Sequence, residues 1–238
     1  MEEPMLSIEI AFSKFEMALI TAIIAACAFL PQTGFGRVER RDSDLKLPTQ
    51  ALLEKQTITT PALGASGAIL NDHAGPTSAA AVTVSTGFTQ PDVPRAISIT
   101  PGGTTTDVES CTVTVTGKNI QNATITETFA FAANASTATV GTKAFKSISS
   151  AAWPANCESG GFAATWDIDT TDKLGLSKCV DKAGFVLAAV FNGAYETTRP
   201  TCTADADEVE KNVCDINGTL DGAKDVDLFY VQNFRCKP

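Results

Sequence analysis

Between Cys111 and Phe131 the chain alternates apolar and polar residues with a period of two. This pattern constrains the fold more than any other feature. In Cys111-Thr-Val-Thr-Val-Thr116, Cys111, Val113 and Val115 fall on one face and Thr112, Thr114 and Thr116 on the other. Ala123-Thr-Ile-Thr-Glu-Thr-Phe-Ala-Phe131 repeats the pattern, with Ile125, Glu127, Phe129 and Phe131 on one side. A period of two belongs to a half-buried strand, because successive side chains of a pleated backbone point to opposite faces. Gly117-Lys-Asn119 breaks the run, and the two strands read as an antiparallel hairpin.

Further strands follow the same logic. Ala81–Thr86 and Ala96–Thr100 alternate and end at Gly87 and at Pro101-Gly102-Gly103. Ala138–Val140, Ala144–Ser149, Phe162–Ile168, Gly184–Phe191 and Asp227–Phe234 are the remaining candidates. Leu52–Lys55 reads as one helical turn, and no long helical periodicity follows residue 60. Short strands separated by turn residues predict a mainly β protein, an antiparallel β-sandwich or jelly-roll-like domain over 47–238. Pro91-Asp-Val-Pro94-Arg95 reads as a stiff corner entering a strand, since each proline fixes its φ.

Residues 1–46 differ and read as an N-terminal helical or extended arm. Met17 to Leu30 is fourteen residues without a charge, too short to span a bilayer, which takes about 20. It has the length of a signal-peptide core, and Ile24-Ala25-Ala26-Cys27 resembles a bacterial lipobox. Glu2, Glu3, Glu9 and Glu16 argue against export, because a signal carries a positive flank. The alternatives are a helix packed on its own domain or a partner, and a true start at Met17. Arg37 to Asp44 reads as a solvated linker.

Net charge is −9, which disfavours a nucleic-acid binder or an anionic-membrane binder. A single histidine, His73, removes mechanisms that need two imidazoles. It lies in Asn71-Asp72-His73-Ala74-Gly75, which reads as a surface turn. No Gly-x-Ser-x-Gly elbow and no phosphate-binding loop is present. Asp167, Asp169 and Asp172, and Asp215, Asn217 and Asp221, offer oxygen ligands near glycines without EF-hand spacing; they read as solvated turns. No catalytic residue, cofactor or metal is expected.

Seven cysteines remain: Cys27, Cys111, Cys157, Cys179, Cys202, Cys214 and Cys236. None forms a Cys-x-x-Cys pair, so neither a zinc ribbon nor a thioredoxin motif is present. Free buried thiols and disulfides compete as readings. Cys157, in a Gly-rich turn, and Cys236, near the terminus, are expected to be exposed, which favours disulfides. An odd count requires a free or intermolecular thiol, and Cys27 and Cys236 are the candidates for bonds between chains.

Several segments, in order, resemble a module of tailed-bacteriophage structural proteins. They are Thr83 to Arg95, Ile99-Thr-Pro-Gly-Gly-Thr104, Val113 to Gly117, Ile125 to Thr128, Lys143-Ala-Phe-Lys-Ser147, Asp172-Lys-Leu-Gly-Leu176 and Leu220 to Tyr230. The resemblance covers about residues 47 to 234. It implies a non-enzymatic virion protein, a minor capsid or capsid-decoration protein on the capsid exterior. Its implied partners are the major capsid protein, neighbouring virion proteins and further copies of itself. A collar, neck or tail protein is the nearest alternative, and an exported lipoprotein or adhesion module is another. The seven cysteines and the N-terminal segment depart from the module, and the cysteines imply covalent reinforcement.

Overall fold

The computed structural model describes residues 52–76, 80–159, 161, 163–233 and 236. The predicted arm over 1–46 lies outside them. The described residues fall within one compact unit, Pro48–Pro238.

The described chain is mainly β, with three antiparallel sheets and only single turns of 3-10 helix. The strands are β1 (Leu52–Ile58), β2 (Leu70–Ala74), β3 (Val82–Val84), β4 (Arg95–Gly103), β5 (Cys111–Lys118), β6 (Thr124–Phe131) and β7 (Thr139–Phe145). They continue with β8 (Ser147–Trp153), β9 (Ala164–Gly175), β10 (Val186–Phe191), β11 (Ala194–Tyr195), β12 (Thr201–Thr203), β13 (Val213–Asp215) and β14 (Val226–Gln232). One sheet runs β3-β8-β5-β6, and a second runs β12-β13-β9-β4-β7 with β2 also on β9. The third runs β1-β14-β10-β11.

The expected hairpin is β5–β6, paired without a break from Cys111 opposite Phe131 to Lys118 opposite Thr124. Its inward face packs on the second sheet. Val113, Val115, Phe129 and Phe131 meet Ile97, Ile99, Trp166 and Ile168 in one sandwich core. A second core lies between the other end of β9 and the third sheet, where Leu174 and Leu176 meet Ile58, Val186, Leu228 and Tyr230. At twelve residues, about 40 Å long, β9 is the strand that reaches both cores.

Three local readings are corrected. Leu52–Lys55 is not a helical turn but the start of β1, because it pairs with β14 from Leu52 opposite Gln232 to Ile58 opposite Val226. The predicted strand Ala144–Ser149 is two strands, since the chain changes sheets at Lys146: β7 pairs with β4, and β8 pairs with β5. β4 runs past its predicted end through Pro101 to Gly103. Beyond Ile99 it pairs with β9 alone, and a residue without an N–H is tolerated at such an edge.

Glu127, on the core face of β6, is 9% exposed. It answers an irregularity between β4 and β7, where Gly141, Thr142 and Lys143 lie opposite the single residue Ile97. Glu127 Oε1 accepts the Thr142 and Lys143 backbone N–H groups and the Thr142 hydroxyl. Backbone donors that the ladder cannot pair are thereby satisfied.

Candidate functional site

Sulfur is the chemistry that the sequence offered most plainly, and the described cysteines are all in disulfides within the chain. Cys111 and Cys157 join the start of β5 to the loop after β8, with Cα atoms 5.1 Å apart. Cys202 and Cys214 are direct cross-strand partners in β12 and β13, with Cα atoms 4.1 Å apart. Cys179 and Cys236 close the third bond, Cα to Cα 5.3 Å.

Two expectations change. Cys157 is fully buried in the first core rather than exposed in a turn. Cys236 bonds within the chain rather than between chains. Past β14, Asn233 forms a bridge with Cys179 and donates its N–H to the Cys179 carbonyl at 2.7 Å, which delivers the tail to its partner. Cys27 lies outside the described residues. None of the described cysteines is a thiolate nucleophile, because each sulfur is held in a cystine.

Beside the Cys111–Cys157 bond lies a tryptophan cluster. Trp153 and Trp166 are both fully buried, with ring centroids 6.3 Å apart. Trp166 Nε1 donates to Glu158 Oε1 at 2.9 Å. Glu158 is 4% exposed, and burial holds its carboxyl above the ordinary carboxylate range, opposed by the Trp166 indole and the Ala164 amide. A Cβ at Gly75 would fall 1.7 Å from Glu158 Oε1, so glycine is the residue that leaves room for this carboxylate.

His73 is not a surface turn residue. It sits in β2 opposite Trp166, half-buried, with its ring 5.4 Å from Trp153. Burial lowers its pKa from the usual 6.5. His73 Nε2, Trp153 Nε1 and Glu158 Oε2 are buried and make no hydrogen bond to the other described residues. The cluster is a packed polar–aromatic knot at the edge of the core.

The aspartates expected in solvated turns at strand ends lie along β9 instead. Asp167 accepts the backbone N–H of Asp72 in β2, and Asp169 and Asp172 accept those of Gly67 and Gly64 in the segment between β1 and β2, each at 2.6 Å. One edge of β9 pairs with β2 at residues 165–168 and with β13 at 173–175. The crossing segment fills the interval, with Thr170 N donating to Ala65 O at 3.3 Å. The carboxylates act as acceptors where the ladder is interrupted. One oxygen of each is committed to an amide, and among the described residues no group of three His, Cys, Asp or Glu could hold a metal ion. Asp221 is a turn residue, accepting the Ala223 and Lys224 N–H groups.

Arg95, at the stiff corner that enters β4, is the most deeply buried charge among the described residues. Its side chain is 0% exposed, and Nη1 donates to the carbonyls of Ala62 at 2.8 Å and Thr171 at 3.2 Å. Nη2 pairs with Asp92 at 2.9 Å. An aspartate and an arginine three residues apart, astride Pro94, were the available signal, but their shared target Ala62 lies about thirty residues earlier.

The third sheet turns an apolar strip outward. Leu53 is 59% exposed and Tyr195 71%, and the Tyr195 ring is 6.2 Å from that of Phe229. Lys55 Nζ lies 5.9 Å from the centre of the Phe229 ring and pairs with Asp227 at 2.8 Å. No protein-family model, no curated protein and no solved structure matches the chain.

Proposed function

We propose that this chain is a structural virion protein of a tailed bacteriophage, decorating or reinforcing the capsid exterior as a homo-oligomer on the major capsid protein and neighbouring virion proteins. The sequence resemblance over about 47–234 motivates the reading. The observation that carries it is the combination of a stapled framework with an outward apolar strip. Three disulfides and a row of carboxylate-to-backbone contacts brace the fold, and Leu53, Tyr195 and Phe229 offer a surface for repeated contact. Weak contacts repeated over a lattice add up through effective concentration, and each contributes most when the module does not deform. The disulfides also fit a particle exposed to an oxidising environment. Six of the seven cysteines pair within the chain, so Cys27 is the sulfur left for a bond to a neighbour.

The test is quantitative protein analysis of purified particles. Many copies per particle on the shell are expected. A few copies at the portal would make the chain a collar, neck or tail protein. Absence from the particle, or a diacylated Cys27 in a bacterial envelope, would replace the reading with an exported lipoprotein or adhesion module. Non-reducing gels of intact particles give the second readout: higher-mass bands that vanish with reductant and with Cys27→Ser are expected if neighbours are cross-linked.

A further inference from the structure

Asn119, Lys143 and Glu210 come from three separate parts of the chain: the turn after β5, the strand β7 and the 3-10 turn Val209–Lys211. Asn119 is 2% exposed and Glu210 9%. The Asn119 carboxamide has a fixed orientation, because Oδ1 accepts the Gln121 and Ala123 backbone N–H groups, each at 3.0 Å. Nδ2 therefore faces Glu210 and donates to Oε2 at 3.2 Å. The other carboxylate oxygen, Oε1, lies 3.8 Å from Lys143 Nζ. One carboxylate bridges a primary amine and a primary carboxamide. The carboxamide oxygen is held by two preorganised donors, the arrangement that stabilises negative charge developing on a carbonyl oxygen.

We infer that Lys143 Nζ and Asn119 Cγ join in an intramolecular isopeptide bond, with Glu210 relaying the protons. Glu210 takes a proton from the Lys143 ammonium, and the flexible lysine stem brings the freed amine onto the carboxamide. The nitrogen lone pair attacks Cγ, and the carbonyl π pair moves to Oδ1 under the Gln121 and Ala123 N–H groups. Glu210 hands its proton to Nδ2, the carbonyl re-forms, the Cγ–Nδ2 bond breaks, and Glu210 passes a second proton from the attacking nitrogen to the departing ammonia. Of the three protons on the lysine nitrogen, one remains on the new amide and two leave with Nδ2 as ammonium. Charge and atoms balance, and nothing is oxidised or reduced. A cleft of 330 Å³ lined by Asn119, Asp207, Glu208 and Glu210 opens beside the carboxamide and offers the cation an acidic exit. The bond would tie β7, in the second sheet, to the turn that ends β5, in the first. Such a link resists reductants, unlike the disulfides, and it does not depend on the proposed place in a virion.

The experiment is mass spectrometry of the full-length, reduced chain. The expected mass is short of the sequence by one ammonia. Trypsin should leave Lys143 uncut and release a branched peptide joining the segments that carry Asn119 and Lys143. Lys143→Arg and Glu210→Gln should each restore the full mass. A wild-type chain at full mass, with the two residues in separate peptides, overturns the inference. So does deamidation of Asn119 with Lys143 free, or an ammonia loss that maps to Asn192 or Asn217, each of which precedes a glycine.

Discussion

Arg95 and Asp92 hold residue Ala62 by both ends. Asp92 Oδ2 accepts the Ala62 N–H at 2.7 Å, and Arg95 Nη1 donates to the Ala62 carbonyl at 2.8 Å. The two side chains also pair with each other at 2.9 Å. The clamp fixes the segment that leaves β1 at the point where Arg95, opposite both Phe145 and Leu174, begins β4.

Asp92→Asn should therefore destabilise the fold even though Asp92 itself is 37% exposed. The loss falls on the arginine, whose buried charge is opposed most strongly by Asp92 and less by Asp172. A cost on the order of 2–3 kcal/mol is expected, below the full range for a pair buried on both sides. Urea denaturation at constant m-value measures it, and an unchanged midpoint would show that the pair is idle.

The row of aspartates on β9 makes a local prediction. Asp169 is 5% exposed and accepts from Gly67 N and from Thr100 Oγ1, each at 2.6 Å. Asp169→Ala strands both donors and should cost about 2 kcal/mol. Hydrogen exchange should quicken at Gly67 and its neighbours while the β5–β6 hairpin stays protected. Uniform quickening across the chain would mean that the carboxylate supports the whole fold rather than one crossing segment.

The disulfides should rank by the loops they close. Cys111 and Cys157 are 46 positions apart and Cys202 and Cys214 only 12. Loop-closure entropy assigns about 4 kcal/mol to the first and about 3 kcal/mol to the second. Double replacement by alanine at each pair, followed by non-reducing denaturation, compares them. Burial adds a kinetic difference, because Cys157 is 0% exposed while Cys202 is half-buried. Limited reductant should open the Cys202–Cys214 bond before the Cys111–Cys157 bond.

Period-two alternation made the β5–β6 hairpin readable to within two residues, with β5 running on through Gly117 and Lys118, because local pattern and tertiary burial agree there. Glu127 was visible on the apolar face of its strand, yet the donors it serves belong to an irregularity on another strand. Asp167, Asp169 and Asp172 looked like turn residues because carboxylates near glycine and threonine are common in turns; their amides lie about a hundred positions earlier. Arg95 followed the same rule. Leu52–Lys55 misled because an edge strand with exposed leucines has no alternation to show. Cysteine pairing was unreadable in principle, since spacing alone does not decide which sulfurs meet.

The Glu158 carboxyl supplies a pH signature. Burial raises its pKa in the fold, so folding favours the neutral form. Its contribution is present in full below the ordinary glutamate pKa of 4.5 and is lost as pH rises through the folded value. Glu158→Gln keeps an acceptor for Trp166 Nε1 and cannot ionise. The variant and the wild type should have similar thermal midpoints in acid, and the variant should be the more stable at neutral pH. Parallel curves across the range would show that Glu158 does not titrate differently in the fold.

Gly141 and Glu127 should behave as one unit. A Cβ at Gly141 would fall 2.5 Å from Glu127 Oε2 and 3.0 Å from the Ile97 carbonyl. Gly141→Ala therefore pushes the carboxylate off the Thr142 and Lys143 amides, and about 2–3 kcal/mol should be lost through donors left unpaired in a buried setting. Glu127→Ala removes the same acceptor directly and makes room for the methyl group. The double variant should cost clearly less than the sum of the two single variants, because both act on the same hydrogen bonds. Additive losses in a double-mutant cycle would mean that the glycine is required by the Ile97 backbone alone and not by the carboxylate.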